Sequence, residues 1–189
     1  MSGAEHGETR TIIARGMQAL AARDVALAAE LLGAVALAAP PDDFPWLALA
    51  NAEIALGRSD AAEAALDRQL ARAQRDVGAL LLKGLLRERA GDARAATSFY
   101  RTAQAQMAFD GRVPPELAQL EAHSRAFLAR ATDDFTGHLL GELGDDLSPA
   151  MREAVELLTG RRQIDLQQPT MFYYPGLPQR RFYDPVQFP

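Results

Sequence analysis

One offset constrains this 189-residue chain more than any other feature: 34 positions. Shifted by that amount, Gly57 falls on Gly91. Gly16, Ala50 and Gly84 coincide, as do Ala28, Ala62 and Ala96, and Ile12, Trp46 and Leu80. A further series runs through Leu32, Leu66 and Tyr100. Asp24 matches Asp92, with Arg58 between them. Self-similarity at a fixed period of roughly 20–50 residues marks a repeat architecture, in which each unit buries its apolar face against its neighbours. A chain that is 48% hydrophobic has the material for such a core.

Within one period the pattern predicts two amphipathic helices. In the third unit "VGALLLKGLLRERAG" reads as the first helix and "DARAATSFYRTAQAQMA" as the second. Gly91 is placed to end the first helix at positive φ, and Asp92 to accept from the free N–H groups that open the second. Pro40 closes the first unit, where the chain must turn. Gly16, Ala50 and Gly84 are expected to face Ala28, Ala62 and Ala96, where small residues let helix axes approach. A helical pair of this period, with a large apolar residue, a small one four later, then Gly and Ala, resembles the tetratricopeptide repeat (TPR). Its best copy is "WLALANAEIALGRSDAAEAALDRQL", Trp46 to Leu70. Three units would cover residues 9–110, after a disordered tail at 1–8. Arg23 stands where the other units have the turn glycine, and Arg15 and Lys83 replace an apolar helix position.

The resemblance implies an all-α, right-handed solenoid whose first helices line a concave groove. Laid on this chain, the groove positions are Ile13, Met17 and Leu20, then Phe44, Leu47, Asn51 and Ile54, then Leu81, Leu85 and Glu88. TPR proteins that grip a terminal carboxylate carry Lys, Arg and Asn there. Here the set is mainly apolar, with Asn51 the one matching polar group, so a carboxylate clamp is not expected. Such a groove takes either an apolar partner peptide or helix, or the protein's own following helix. The second is preferred, because a short array needs a cap over its inner face.

Residues 111–160 extend the helical pattern. "PPELAQLEAHSRAFLARATDDFTGHLLGEL" starts with a proline at a helix start and places Leu117, Leu120, Ser124, Phe127 and Leu128 on one face. "SPAMREAVELLTG" supplies Ser148 as N-cap, Pro149 in the first turn and Gly160 as C-terminal stop. This pair is expected to be a capping extension or a degenerate fourth repeat. His6, His123 and His138 show no metal-ligand spacing, and the last two are read as solvated helix surface. A net charge of −5 argues against a nucleic-acid partner. The absence of cysteine excludes disulfides and a thiol nucleophile. The polar N-terminus is unlike a signal peptide, and "LLGAVALAA" is too short to span a bilayer, so a soluble cytoplasmic protein without a membrane partner is expected. Arginine dominates over lysine, Lys83 being the only one, and alanine is abundant. Both biases suggest a GC-rich bacterial source.

Residues 161–189 break with everything before them. Pro169, Pro175, Pro178 and Pro185 forbid a continuing helix. "TMFYY" and "RRFYDP" read as extended pieces around the turn "PGLP". The wording "LLTGRR…QQPTMFYYPGLPQRRFYDPVQFP" resembles the start of the catalytic domain of the aspartyl/asparaginyl β-hydroxylase family, over about thirty residues. Bacterial members commonly place TPR-like helices ahead of that domain. The family implies an iron(II)- and 2-oxoglutarate-dependent dioxygenase on a double-stranded β-helix, with histidines on the metal and an arginine on the cosubstrate carboxylate. None of those residues can be carried onto this chain, which has no histidine after His138. The expectation is therefore a catalytically inert TPR module, cut off at the start of a dioxygenase domain. It would position a polypeptide substrate or support its own catalytic domain. The alternatives are a stand-alone TPR adaptor for an apolar peptide or helix, with the aromatic tail as docking segment, and a tail folded back into the protein's own groove.

Overall fold

The computed structural model describes residues 3–38, 40–111, 114–144 and 147–162. Among these the chain is all-helical and has no strand. The helices are α1 (Gly3–Ala21), α2 (Val25–Ala38), α3 (Trp46–Ala55), α4 (Ser59–Arg72), α5 (Val77–Arg89), α6 (Ala93–Asp110), α7 (Ala118–Leu143) and α8 (Pro149–Leu158). A 3₁₀ turn at Pro115–Leu117 precedes α7. The aromatic and proline-rich segment, with its expected extended pieces, lies outside the described residues. The chain divides into two compact units that meet in sequence at Ala129 and Arg130.

The first unit holds three helical hairpins, α1–α2, α3–α4 and α5–α6, each closed by the same turn. Arg23, Gly57 and Gly91 occupy the left-handed region, with φ of 63°, 73° and 79°. Their N–H groups donate to the carbonyls of Leu20, Ile54 and Glu88, and the next N–H reaches Ala19, Glu53 and Arg87. These paired bonds close the C-terminus of the first helix by satisfying carbonyls that have no partner within it. The second helix is then capped. Asp24 accepts from Leu27 N–H and Asp92 from Ala95 N–H, whereas Arg58 makes no side-chain cap. The turn thus recurs at 34-residue intervals in the backbone as well as in the sequence.

The matched positions fill the interior. Ala28, Ala62, Ala96, Leu32, Leu66 and Tyr100 are all fully buried. Burying a leucine side chain in this way stabilises by roughly 1.5–3 kcal/mol. The nearest neighbours of the two glycine sites are larger residues. A Cβ on Gly16 would stand 2.8 Å from Leu32 Cγ, and one on Gly84 would overlap the Tyr100 ring. The close approach is to the large residue sixteen positions on, because a Cβ-less site makes room for that side chain to lie across the helix. One cluster joins α1 to α5 around Leu32, Phe44, Trp46 and Leu66. Another joins α5 and α6 around Leu81, Tyr100 and Met107, with Leu117, Leu120, Phe127 and Leu128 packed on it. The apolar face expected before and along α7 is thus engaged, and Ser124 is buried within it.

One boundary differs from expectation. Helix α1 starts at Gly3, so the segment read as a disordered tail is helical from its third residue. Once Ile12, Ile13 and Leu20 pack on the core, extending the helix backwards adds one hydrogen bond per residue without a new nucleus.

The second unit comprises α7 from Arg130 and the helix α8. Ser148 accepts from Met151 N–H at 3.3 Å, Pro149 opens the helix, and Gly160 ends it at φ 72°. Arg161 pairs with Asp133 at 2.7 Å and Arg162 with Glu153 at 3.1 Å. Thr136 and Val155 are buried, while Phe135, Met151 and Leu158 stay exposed.

Candidate binding surface

The ten groove positions do not form one open face. Phe44 and Leu81 belong to the core, at 2% and 0% exposure. Phe44 precedes α3 in the loop after Pro41, and its ring meets Trp46 edge-on with centroids 4.6 Å apart. Ile13, Leu20, Leu47 and Ile54 are half-buried and pack on the same cluster. Leu85 is half-buried as well, leaving Met17 and Asn51 as the exposed members. An expectation of ten groove-lining residues therefore reduces to a smaller accessible set. The physical reason is that helical spacing places a residue on a face but does not say how far the next hairpin covers it.

Glu88 carries the most polar chemistry of the set. Its Oε2 accepts from the Tyr100 hydroxyl at 2.8 Å and lies 2.7 Å from His123 Nε2. Tyr100 stacks edge-to-face with Phe127 at 5.3 Å and with His123 at 6.2 Å. Burial, then the bond to Glu88 and its charge, push the Tyr100 hydroxyl well above the ordinary tyrosine range. That group stays a neutral donor at physiological pH, suited to holding α5, α6 and the start of α7 together rather than to proton transfer. Next to it, Gln104 donates to Ser124 Oγ at 2.8 Å, and Arg125 pairs with Glu121 one turn away. His123, expected at the solvated surface, keeps a side chain that is 39% exposed and also pairs with Glu88. The lone lysine, Lys83, pairs with Asp67 and lies 5.3 Å from the centroid of the Phe99 ring. Arg87 pairs with Glu63.

Sequence reading also passed over Glu53. It is buried to 6% exposure on α3, with its carboxylate held by Arg58 at 3.5 Å. The available signal was a carboxylate in an otherwise apolar and small-residue helix.

Among the described residues no group of three or more His, Cys, Asp or Glu side chains is placed to hold a metal ion. His138 is exposed. The described residues do not supply an iron site. No described helix is long and apolar enough to cross a membrane. The chain matches no protein-family model, and no curated protein matches it either.

Proposed function

We propose that this chain is a TPR-type polypeptide-binding module attached to an aspartyl/asparaginyl β-hydroxylase-like dioxygenase, where it positions a polypeptide substrate or supports the catalytic domain. The observation that carries the repeat reading is the recurrence of one turn at Arg23, Gly57 and Gly91, with the same pair of backbone bonds at each. Burial of each matched Ala and each Leu/Tyr position supports it. The dioxygenase reading rests on the resemblance of "FYYPGLPQRRFYD" and on the order of the parts. The chain itself supplies binding and no catalysis.

The accessible part of the inner face, Met17 and Asn51 beside half-buried Ile13, Leu20 and Ile54, suits the apolar side of a peptide or helix. The test uses the protein extended through its downstream reading frame. With iron and 2-oxoglutarate supplied, Met17→Glu together with Asn51→Arg should raise KM for a polypeptide substrate about tenfold or more and leave kcat nearly unchanged. Unchanged KM in a folded variant would remove these positions from substrate binding. A downstream frame without spaced histidines and an arginine would remove the dioxygenase reading.

A further inference from the structure

A second concavity lies away from the inner-face positions. It is a pocket of 310 Å³ between α2 and α4, floored by α3. Ala36 and Leu37 come from α2, Trp46 and Leu49 from α3, and Ala64 and Ala65 from α4. That volume lies at the lower end of small-molecule sites, about 300–1,000 Å³, and small side chains on both outer helices keep it open. Leu37 stands at 90% exposure on its rim.

Glu53 also lines this pocket. Its side chain is 9% exposed, and its one ionic partner among the described residues, Arg58 Nη1, reaches Oε2 at 3.5 Å from a side chain that is 61% exposed. That distance is beyond the usual 2.7–2.9 Å of a charge-assisted bond. Among the described residues no hydrogen bond engages Oε1, yet no buried polar atom there is both sealed off and unpaired. Oε1 therefore keeps access to solvent, and the pocket is an open space that Glu53 lines. The 34-residue series sharpens the oddity. The matching positions are Ala19, buried in the first hairpin, and Arg87, half-buried in the third. A carboxylate is not required by the repeat at this place. Burying one without full pairing costs stability, so the residue is out of keeping with a purely structural role.

We propose that this pocket binds an amine with an apolar body, its ammonium group donating to Glu53 and its body lying among Trp46, Leu49 and the alanines of α2 and α4. Such a donor would sit closer to the carboxylate than Arg58 does, and Arg58 would swing out to water. Arg68 lines the pocket from the exposed side of α4, where solvent screens its charge. The inference does not depend on the repeat-family reading or on the inner-face positions.

Trp46 is the only tryptophan in the chain and forms one wall, so its fluorescence reports occupancy directly. The full chain is titrated with phenethylamine, with N-acetyl-lysine methylamide, and with neutral 2-phenylethanol. A saturable change with an amine, at least about tenfold tighter than with the alcohol, is expected from one charge-assisted bond. Tighter binding of phenethylamine identifies a free amine as ligand class, and tighter binding of the lysine derivative identifies a polypeptide side chain. Glu53→Gln should weaken amine binding about tenfold to a hundredfold while leaving the alcohol unaffected. Ala64→Leu, which fills the pocket and keeps the carboxylate, should abolish both and guards against a misfolded Gln variant. Equal binding of alcohol and amine, no saturable change, or full affinity in a folded Glu53→Gln variant would each overturn the proposal.

Discussion

In the first hairpin the space left by Gly16 is taken by Leu32; in the third, the space left by Gly84 is taken by Tyr100. The two sites share one position in the 34-residue frame and one degree of burial, since both large residues are fully enclosed. They differ in what the large residue can do next. Leu32 ends in methyl groups and packs only within the apolar cluster. Tyr100 continues to a hydroxyl that donates to Glu88, and through that carboxylate it is joined to His123. The same frame thus holds an aliphatic plug at one end and a polar junction at the other. The repeat fixes where a large side chain goes, and its chemistry decides whether the hairpin closes on itself or also engages α7.

The sharpest way to separate the two sites is to add one methyl group to each glycine. Alanine gains about 1 kcal/mol over glycine from helix propensity alone. At Gly16 the obstacle is Cγ and a methyl of the enclosed Leu32, which has no hydrogen bond to lose and can yield by a small side-chain shift, so Gly16→Ala should change stability by less than about 1 kcal/mol. At Gly84 the obstacle is a rigid ring that is itself hydrogen-bonded. Gly84→Ala should therefore destabilise by about 2 kcal/mol, within the usual range for overpacking, despite the propensity gain. Urea denaturation of both variants decides it, and equal midpoints would mean that Tyr100 yields as easily as Leu32.

Removing the hydroxyl tests the polar half of the comparison. Tyr100→Phe keeps the ring in place and should cost about 1.5 kcal/mol at neutral pH, the low end for a hydrogen bond to a charged group, because His123 still faces Glu88. The loss should have a distinctive pH profile. The Tyr100 hydroxyl is raised in the folded protein, by burial first and by Glu88 second. Its unfolded value lies near 10. A group raised on folding contributes stability that is complete below its unfolded value and is lost as pH climbs towards its folded value. Between about pH 10 and 12 the parent should therefore lose stability more steeply than the Phe variant. Parallel thermal-melting curves across that range would show that Tyr100 carries no such linkage. No equivalent experiment exists at Leu32, which has nothing to titrate.

The period was legible because it rests on residues whose physics is local. Gly91 and Asp92 announce a helix stop and a helix start wherever they stand together, and Ser148–Pro149 with Gly160 does the same for α8. The burial of Ala28, Ala62 and Ala96 followed from the same offset. Contacts between hairpins were not legible. Leu81 stands at the same place in the 34-residue frame as Ile13 and Leu47, and only packing shows that it is fully buried while they are half-buried. The pairing of His123 is not legible from its polar sequence neighbours, because its partner Glu88 is 35 positions away. Glu53 escaped notice because its peculiarity is burial, which a single charged letter in a helix does not reveal.

The three turns offer the smallest and cleanest test, since their backbones agree and their residues do not. Arg23 adopts φ 63° where Gly57 and Gly91 adopt 73° and 79°. A side chain in that region costs about 1–2 kcal/mol, because Cβ crowds the carbonyl oxygen. Glycine avoids the crowding but leaves the unfolded chain freer, which offsets about 0.4–1 kcal/mol. Arg23→Gly should therefore stabilise by about 0.5–1 kcal/mol, or raise the melting temperature by roughly 2 °C in a chain of this length. Gly57→Ala and Gly91→Ala should move the other way by about 1 kcal/mol each. Neither alanine would meet another atom within 4 Å, so the backbone is the whole of their cost. Opposite exchanges at equivalent turns then have opposite signs, and the sign depends only on whether glycine is gained or lost at the left-handed position. If Arg23→Gly instead destabilised, the arginine would be contributing a stabilising interaction larger than the strain it bears, and the first turn would differ from the other two in energy as well as in sequence.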